Sequence, residues 1–266
     1  MTDKAGRLVI IGGAEAKDHD PIILEEAANL VEERLLIITT ATQEPKEAGE
    51  EYDRIFSKLG VPEVKALHIN SRADAAYKDY VEQIEKADGV FFTGGNQLRI
   101  TSLLGGSRVC DAIKRGYKNG KVIIGTSAGA AVMSRLMVVT GESDENAKQG
   151  ALDLALGLGF LDNVIIDQHF SQRGRLGRLL TGLAHNPALL GVGIDENTAI
   201  IVTENTFEVI GSGTVTIVDC SQVKTTNISN LLPDEALTLT NVKLHILSKR
   251  YGFNLDRKKV ILPQDQ

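Results

Sequence analysis

Along the first half of the chain, short apolar runs rich in β-branched residues alternate with longer stretches of helical period, and no other feature restricts the fold as much. Strands are expected over 7–11, 35–39, 64–69, 89–93 and 122–125, and helices over 22–33, 46–59, 76–87, 97–104 and 107–119. The runs Leu8-Val9-Ile10-Ile11 and Leu35-Leu36-Ile37-Ile38 lack in-out alternation. Strands apolar on both faces need helices on both faces, which is how parallel sheets are built. The order predicts a doubly wound α/β arrangement. Asp20-Pro21, just ahead of the Ile23, Ala27, Leu30 stripe, reads as an N-cap followed by proline at the first helical position.

From Gly191 onward the texture changes to short runs over 191–194, 198–203, 207–210, 214–218 and 242–247. Glu204-Asn205 and Gly211-Ser212-Gly213 between them have the chemistry of hairpin turns. No Pro/Gly/Ser-rich linker divides the halves. The expected fold is therefore α/β, a single domain over 1–266 with a mostly parallel central sheet flanked by helices and a C-terminal antiparallel extension on the same core. At 266 residues and 42% hydrophobic content the chain can bury such a core. The stretch 140–159, acidic and then Gly-rich, reads either as a mobile loop over a site or as a surface connection.

Charge narrows the partners. A formal net charge of -6 speaks against nucleic acid or an anionic membrane surface and tolerates a cationic substrate. Cys110 and Cys220 are too few and too far apart for a disulfide framework or a thiolate metal site, so they are expected reduced and buried, with no metal and no cofactor. The first six residues are polar and no run of 18 apolar residues occurs, so a cytoplasmic protein is expected. Asn227-Ile228-Ser229 matches a glycosylation acceptor, which has meaning only in a secreted chain.

Within this frame Gly125-Thr126-Ser127-Ala128-Gly129 places a G-x-S-x-G pattern where the strand beginning at Val122 gives way to a small-residue helix. That is the setting of a nucleophile elbow: a sharp strained turn lifts the hydroxyl of Ser127 above the sheet, and the flanking glycines remove side chains that would collide. The helix that starts there offers the Ala128 amide to a developing oxyanion. A second strand end, Thr93-Gly94-Gly95-Asn96-Gln97, lets the backbone approach a ligand, so an amide near Gly95 can complete the oxyanion hole; its bland reading is an ordinary turn with Asn96 as helix cap. Strands of a parallel sheet share one carboxyl edge, so both turns fall where ligands bind.

Of five histidines, His68 lies in an apolar strand, His185 at a helix end, His245 in a late strand and His19 in a polar loop. His169 follows the apolar run Val164-Ile165-Ile166 with polar Asp167 and Gln168 beside it, which makes it the candidate base. A third strand end, Gly193-Ile194-Asp195-Glu196, offers Glu196 or Asp195 to accept the imidazole proton. Beyond His169, Arg173, Arg175 and Arg178 crowd the start of a helix whose stripe is Leu176, Leu179, Leu180 and Leu183. Cations there oppose the helix dipole, so they want a partner: a substrate carboxylate, or nearby acids on a solvated face.

Together these segments resemble the cyanophycinase family of serine peptidases, related to the aspartyl dipeptidases. The resemblance covers Ile11-Gly12-Gly13-Ala14-Glu15, Phe92 to Gln97, Gly125 to Ala130, Asp167-Gln168-His169-Phe170 with the arginines, and Gly193 to Ala199. It implies a triad of Ser127, His169 and Glu196, with Gln97, Asp167, Gln168, Arg173, Arg175 and Arg178 around the substrate. It also implies a homodimer that cleaves cyanophycin, a poly-aspartate with arginine on each β-carboxyl, into β-Asp-Arg dipeptides, with acidic residues receiving the guanidiniums. Ala16 departs from the family pattern, which has an acid there. The rivals are a dipeptidase for N-terminal Asp-X peptides, which has no use for the arginine cluster, and a non-catalytic scaffold in which Ser127 only packs a turn.

Overall fold

A computed structural model describes residues 6–141, 147, 152–232 and 235–263. Five strands form a parallel array: β1 (Arg7–Ile11), β2 (Arg34–Ile38), β3 (Glu63–Leu67), β4 (Gly89–Phe92) and β5 (Val122–Thr126). The helices are α1 (Ile22–Asn29), α2 (Pro45–Lys58), α3 (Lys78–Lys86), α4 (Gln97–Leu104), α5 (Arg108–Lys118), α6 (Ala128–Ala131) and α7 (Leu176–His185). Three further strands follow: β6 (Leu136–Gly141), β7 (Leu152–Leu156) and β8 (Val164–Gln168). After α7 come β9 (Leu190–Ile194), β10 (Thr198–Thr203), β11 (Thr206–Gly211), β12 (Val215–Asp219), β13 (Lys243–Leu247), β14 (Gly252–Asn254) and β15 (Lys259–Ile261).

The main sheet runs β15-β14-β11-β10-β1-β5-β4-β2-β3. It is parallel from β1 to β3 and antiparallel from β10 to β15. Its central strands β1, β2, β4 and β5 are buried because helices close both faces. On α2, Gly49, Tyr52, Ile55 and Phe56 fall on one stripe, the spacing of a helix with one core-facing side. Tyr52 and Phe56 meet Phe91 of β4 at ring-centroid distances of 4.4 and 5.3 Å. Burying each such ring contributes about 1.5–3 kcal/mol.

The antiparallel extension differs from its reading in the sequence. Strand β9 does not join the main sheet: it pairs parallel with β8 in a second sheet of order β13-β12-β9-β8. Gly211-Ser212-Gly213 is accordingly a crossing between sheets and not a hairpin. Local bonds divert the chain there: Ser212 N–H donates to Asn197 O, Gly213 N–H to Thr198 Oγ1, and Thr214 N–H to Asp195 Oδ2. Glu204-Asn205 does turn the β10–β11 hairpin, with Glu204 at φ +53°. One hydrophobic cluster nevertheless reaches from Leu8 and Ile123 of the main sheet to Val192 and Ile217 of the second.

Two helix starts and stops also differ. Pro21 itself occupies the cap position of α1 and no side chain caps it; Asp20, at φ +55°, accepts the Ile22 amide through its carbonyl. The helix ends at Asn29, short of residue 33, because the Asp88 carboxylate accepts the Glu33 and Arg34 amides at 2.9 and 2.7 Å and draws the chain into β2. In the stretch 140–159, β6 and β7 pair antiparallel; residues 142–146 and 148–151, on which a mobile loop would depend, lie outside the described residues. Both cysteines are free and buried. Among the described residues no helix is long and apolar enough to cross a membrane, and no cluster of three or more metal-ligating side chains occurs.

Candidate active site

The carboxyl ends of β1, β4 and β5 in the main sheet and of β8 and β9 in the second converge at one place. The end of β1 stitches them together. Three successive carbonyls each accept an amide from a different loop: Ser127 N–H donates to Ile11 O at 3.1 Å, His169 N–H to Gly12 O at 2.9 Å, and Asn197 N–H to Gly13 O at 2.9 Å. Backbone conformation is unusual at the same points, with Ala14, Ser127, His169 and Asn197 all between φ +48° and +51°. Non-glycine residues adopt this region rarely, and such residues gather at functional sites.

Ser127 sits between β5 and α6 at φ +51°, ψ -107°. Its Oγ lies 2.9 Å from His169 Nε2. On the far side of the ring, His169 Nδ1 is 2.6 Å from Glu196 Oε1. With Glu196 ionised, Nδ1 carries the proton and donates to it, which leaves Nε2 to accept from the Ser127 hydroxyl. The imidazole packs against Gly13, where a Cβ would stand 2.4 Å from its Cε1. Burial pushes the His169 pKa below 6.5; the Arg173 and Arg175 charges add to this, and the Glu196 bond opposes it. The ring is therefore neutral at neutral pH, as a base must be.

The carboxylate choice left open between Asp195 and Glu196 is resolved by orientation. Asp195 turns away from the ring and accepts from Ser171 N and Oγ and from Thr214 N and Oγ1, between 2.6 and 3.0 Å. Burial raises the Asp195 pKa, but these donors outweigh it and hold the group below its ordinary value. Its effect is to lock the His169 loop to the Glu196 loop. Gln172 assists by accepting the Glu196 amide at 3.0 Å.

The glycine turn after β4 faces Ser127: a Cβ at Gly94 would sit 3.6 Å from Ser127 Cβ. Gly95 is at φ +137°, and a Cβ there would come within 2.3 Å of Ala41 O, so only glycine fits. Asn96 caps α4 by accepting from Leu98 N–H. Ala128 opens α6, where the first amides of a helix have no partner within it. Gln97 Nε2 donates to the Val138 and Val139 carbonyls at 3.0 and 2.9 Å, tying β6 to the site edge.

The three arginines separate into two environments. Arg173 is exposed. Arg175 and Arg178 are buried at 6% and 4% exposure, whereas Leu176 on the supposed apolar stripe is 40% exposed. Their partner is Asp167, which is fully buried. Arg178 Nε donates to Asp167 Oδ2 at 2.7 Å and its Nη2 to Oδ1, and Arg175 Nη1 lies 3.4 Å from the same carboxylate. The neighbouring acid thus answers the unfavourable helix dipole, a reading the sequence had kept open on a solvated face. Burial pushes the Arg175 guanidinium down to about 10, which leaves it charged at neutral pH. Arg175 Nε and Gln168 Oε1 are both buried without a hydrogen-bond partner. Two of the other histidines have partners elsewhere: His68 meets Thr39 Oγ1 at 2.9 Å, and the His245 ring lies 5.6 Å from Phe253 at a tilt.

Sequence reasoning quoted Glu15 but gave it no role. It is 5% exposed and accepts from Tyr52 Oη and Thr126 Oγ1, each at 2.6 Å. A charged residue two positions beyond the Gly12-Gly13 pair at a strand end was the available signal.

A hydroxyl, an imidazole and a carboxylate in line at a strained strand-to-helix turn form the arrangement of hydrolases that attack carbonyls through serine, and the fold and site together define a serine-type peptidase. The sequence pattern of peptidase family S51 matches residues 8–210, and the chain belongs to that family. It is 41% identical over 256 residues to the cyanophycinase of Geminocystis herdmanii (strain PCC 6308), covering 94% of this chain and 93% of that protein. With the cyanophycinase of Nostoc sp. strain PCC 7120 it shares 39% over 259 residues, 96% of this chain and 87% of the relative. Its fold is similar to the crystal structure of a peptidase from an acI-B1 Actinobacterium, with a TM-score of 0.64 at 22% identity, over 91% of this chain and 97% of that one.

Proposed function

We propose that this chain hydrolyses cyanophycin to β-Asp-Arg dipeptides as a serine exopeptidase, in a catalytic triad of Ser127, His169 and Glu196. The observation that carries the mechanism is the line of contacts Ser127 Oγ to His169 Nε2 at 2.9 Å and His169 Nδ1 to Glu196 Oε1 at 2.6 Å. Kinship with cyanophycinases at about two-fifths identity over nearly the whole chain supports the substrate.

His169 takes the Ser127 proton as the hydroxyl attacks an aspartyl carbonyl of the backbone. The amides of Gly95 and Ala128 stabilise the oxyanion, and Glu196 stabilises the imidazolium. His169 then protonates the leaving amine; water, deprotonated in turn by His169, attacks the Ser127 ester, the Oγ–acyl bond breaks, and the acid product leaves as His169 returns the proton to Ser127 Oγ. Arg173, the exposed cation beside His169, is suited to a substrate carboxylate. Arg175 and Gln168 contribute their unpaired Nε and Oε1, while Asp167 and Arg178 hold that wall in place and Gln97 holds β6 beside it. We further propose a cytoplasmic homodimer and a single domain over 1–266.

The test is incubation of the purified protein and Ser127→Ala with cyanophycin and with Asp-X dipeptides, products being read by mass. Wild-type protein should release β-Asp-Arg and the variant none. Release by the variant at the wild-type rate would overturn the mechanism. Cleavage of Asp-X alone would reassign the substrate.

A further inference from the structure

The Glu15 carboxylate is buried, contacts neither His169 nor Ser127 by a hydrogen bond, and is held by hydroxyls from two separate elements, Tyr52 of α2 and Thr126 of β5. At 2.6 Å both bonds have the length of a hydroxyl donating to an ionised carboxylate. Burying a charge is costly unless such donors compensate it. The tyrosine end of the bridge is rigid: Tyr52 packs on Phe91, and Lys17 lies 4.7 Å over its ring while pairing with Glu51. Burial first, and then the Glu15 charge, hold the Tyr52 pKa well above its ordinary value, so the phenol stays a donor.

Thr126 is the last residue of β5 and immediately precedes Ser127 at its positive φ. A residue in that region keeps its conformation only where the surroundings over-determine it. Two anchors flank the nucleophile, the Ser127 amide on Ile11 O and the Thr126 hydroxyl on Glu15, and both lie in the stretch 11–15. We propose that Glu15 is a positioning residue for the nucleophile: oriented by Tyr52, it clamps Thr126 Oγ1 and so holds the turn that aims Ser127 Oγ at His169 Nε2. The inference rests on Ser127 being the nucleophile, and needs no assumption about the substrate.

The experiment follows the rate at which a small fluorophosphonate labels Ser127, read by intact mass across pH, with circular dichroism and a thermal melt confirming that each variant is folded. Glu15→Ala and Thr126→Val should lower the plateau rate roughly ten- to a hundredfold, the scale of a misplaced reacting group. Thr126→Ser, which restores the hydroxyl, should label near the wild-type rate, and Tyr52→Phe should fall between. The pH midpoint should not move, since His169 sets it, and Glu15→Ala with Thr126→Val should be no slower than either alone. Folded Thr126→Val labelled at the wild-type rate would overturn the clamp even if Glu15→Ala fails to fold. An unlabelled wild-type protein, matching Ser127→Ala, would instead overturn the nucleophile assignment beneath it.

Discussion

At Ser127 and His169 the backbone shapes the proposed chemistry, because both residues sit at positive φ and their side chains meet at 2.9 Å. Their protonation is equally specific. Burial, with Arg173 and Arg175 adding to it, lowers the His169 pKa below 6.5 while Glu196 raises it. With the neutral His169 ring as the proposed base, kcat/KM should rise with pH through a midpoint below about 6.5. Removing the cation in Arg173→Ala should move that midpoint up, and Glu196→Gln should move it down while cutting kcat. A wild-type midpoint above 7 would contradict this account. Asp167→Asn, by contrast, is a stability change: it removes the charge of the buried carboxylate that the Arg175 and Arg178 guanidiniums share, and denaturant unfolding should report a loss of about 3–5 kcal/mol. A loss within 1 kcal/mol would mean water reaches the cluster. Ser127, His169 and the glycine turn at Gly94-Gly95 stood out in the sequence as candidates because each lies where an apolar run stops. The burial of Arg175 and Arg178 was not, since helical spacing placed Leu176 on the core side and nothing local shows that Asp167 points back at them.

Among elements, the end of β1 has the widest reach, because the Ile11, Gly12 and Gly13 carbonyls set the relative positions of the Ser127, His169 and Glu196 loops. Gly13→Ala should therefore act on chemistry: at φ +97° with a Cβ 2.4 Å from His169 Cε1, the methyl displaces the ring, and single-turnover acylation should slow about a hundredfold. Gly60 has nearly the same conformation, φ +94°, but open space where a Cβ would go. Gly60→Ala should cost only about 1–2 kcal/mol of stability and leave the acylation rate unchanged. Equal rates for the two alanine variants would show that contact with His169 is not what Gly13 provides. The sequence indicated that Gly12-Gly13 ends a strand, but its register against β8 and β9 depends on contacts more than 150 residues away.

For the whole molecule, one apolar cluster spans both sheets, so thermal unfolding should be a single cooperative transition with calorimetric and van't Hoff enthalpies in agreement. Two separable transitions would divide the chain at the sheet boundary. The proposed triad straddles that boundary, with Ser127 at the end of a main-sheet strand and His169 and Glu196 at the ends of strands of the second, so a cooperative core is also what keeps the site assembled. By itself the sequence determined the α/β class, the strand ends and the residue types offered there, because hydrophobic period, turn glycines and small residues act over a few neighbours. Tertiary structure alone decided that β8 and β9 form a separate sheet, that Glu196 and not Asp195 faces the imidazole, and that Arg175 and Arg178 are buried against Asp167. Those outcomes depend on which distant elements meet and how each side chain is then turned, and no spacing along the chain encodes either.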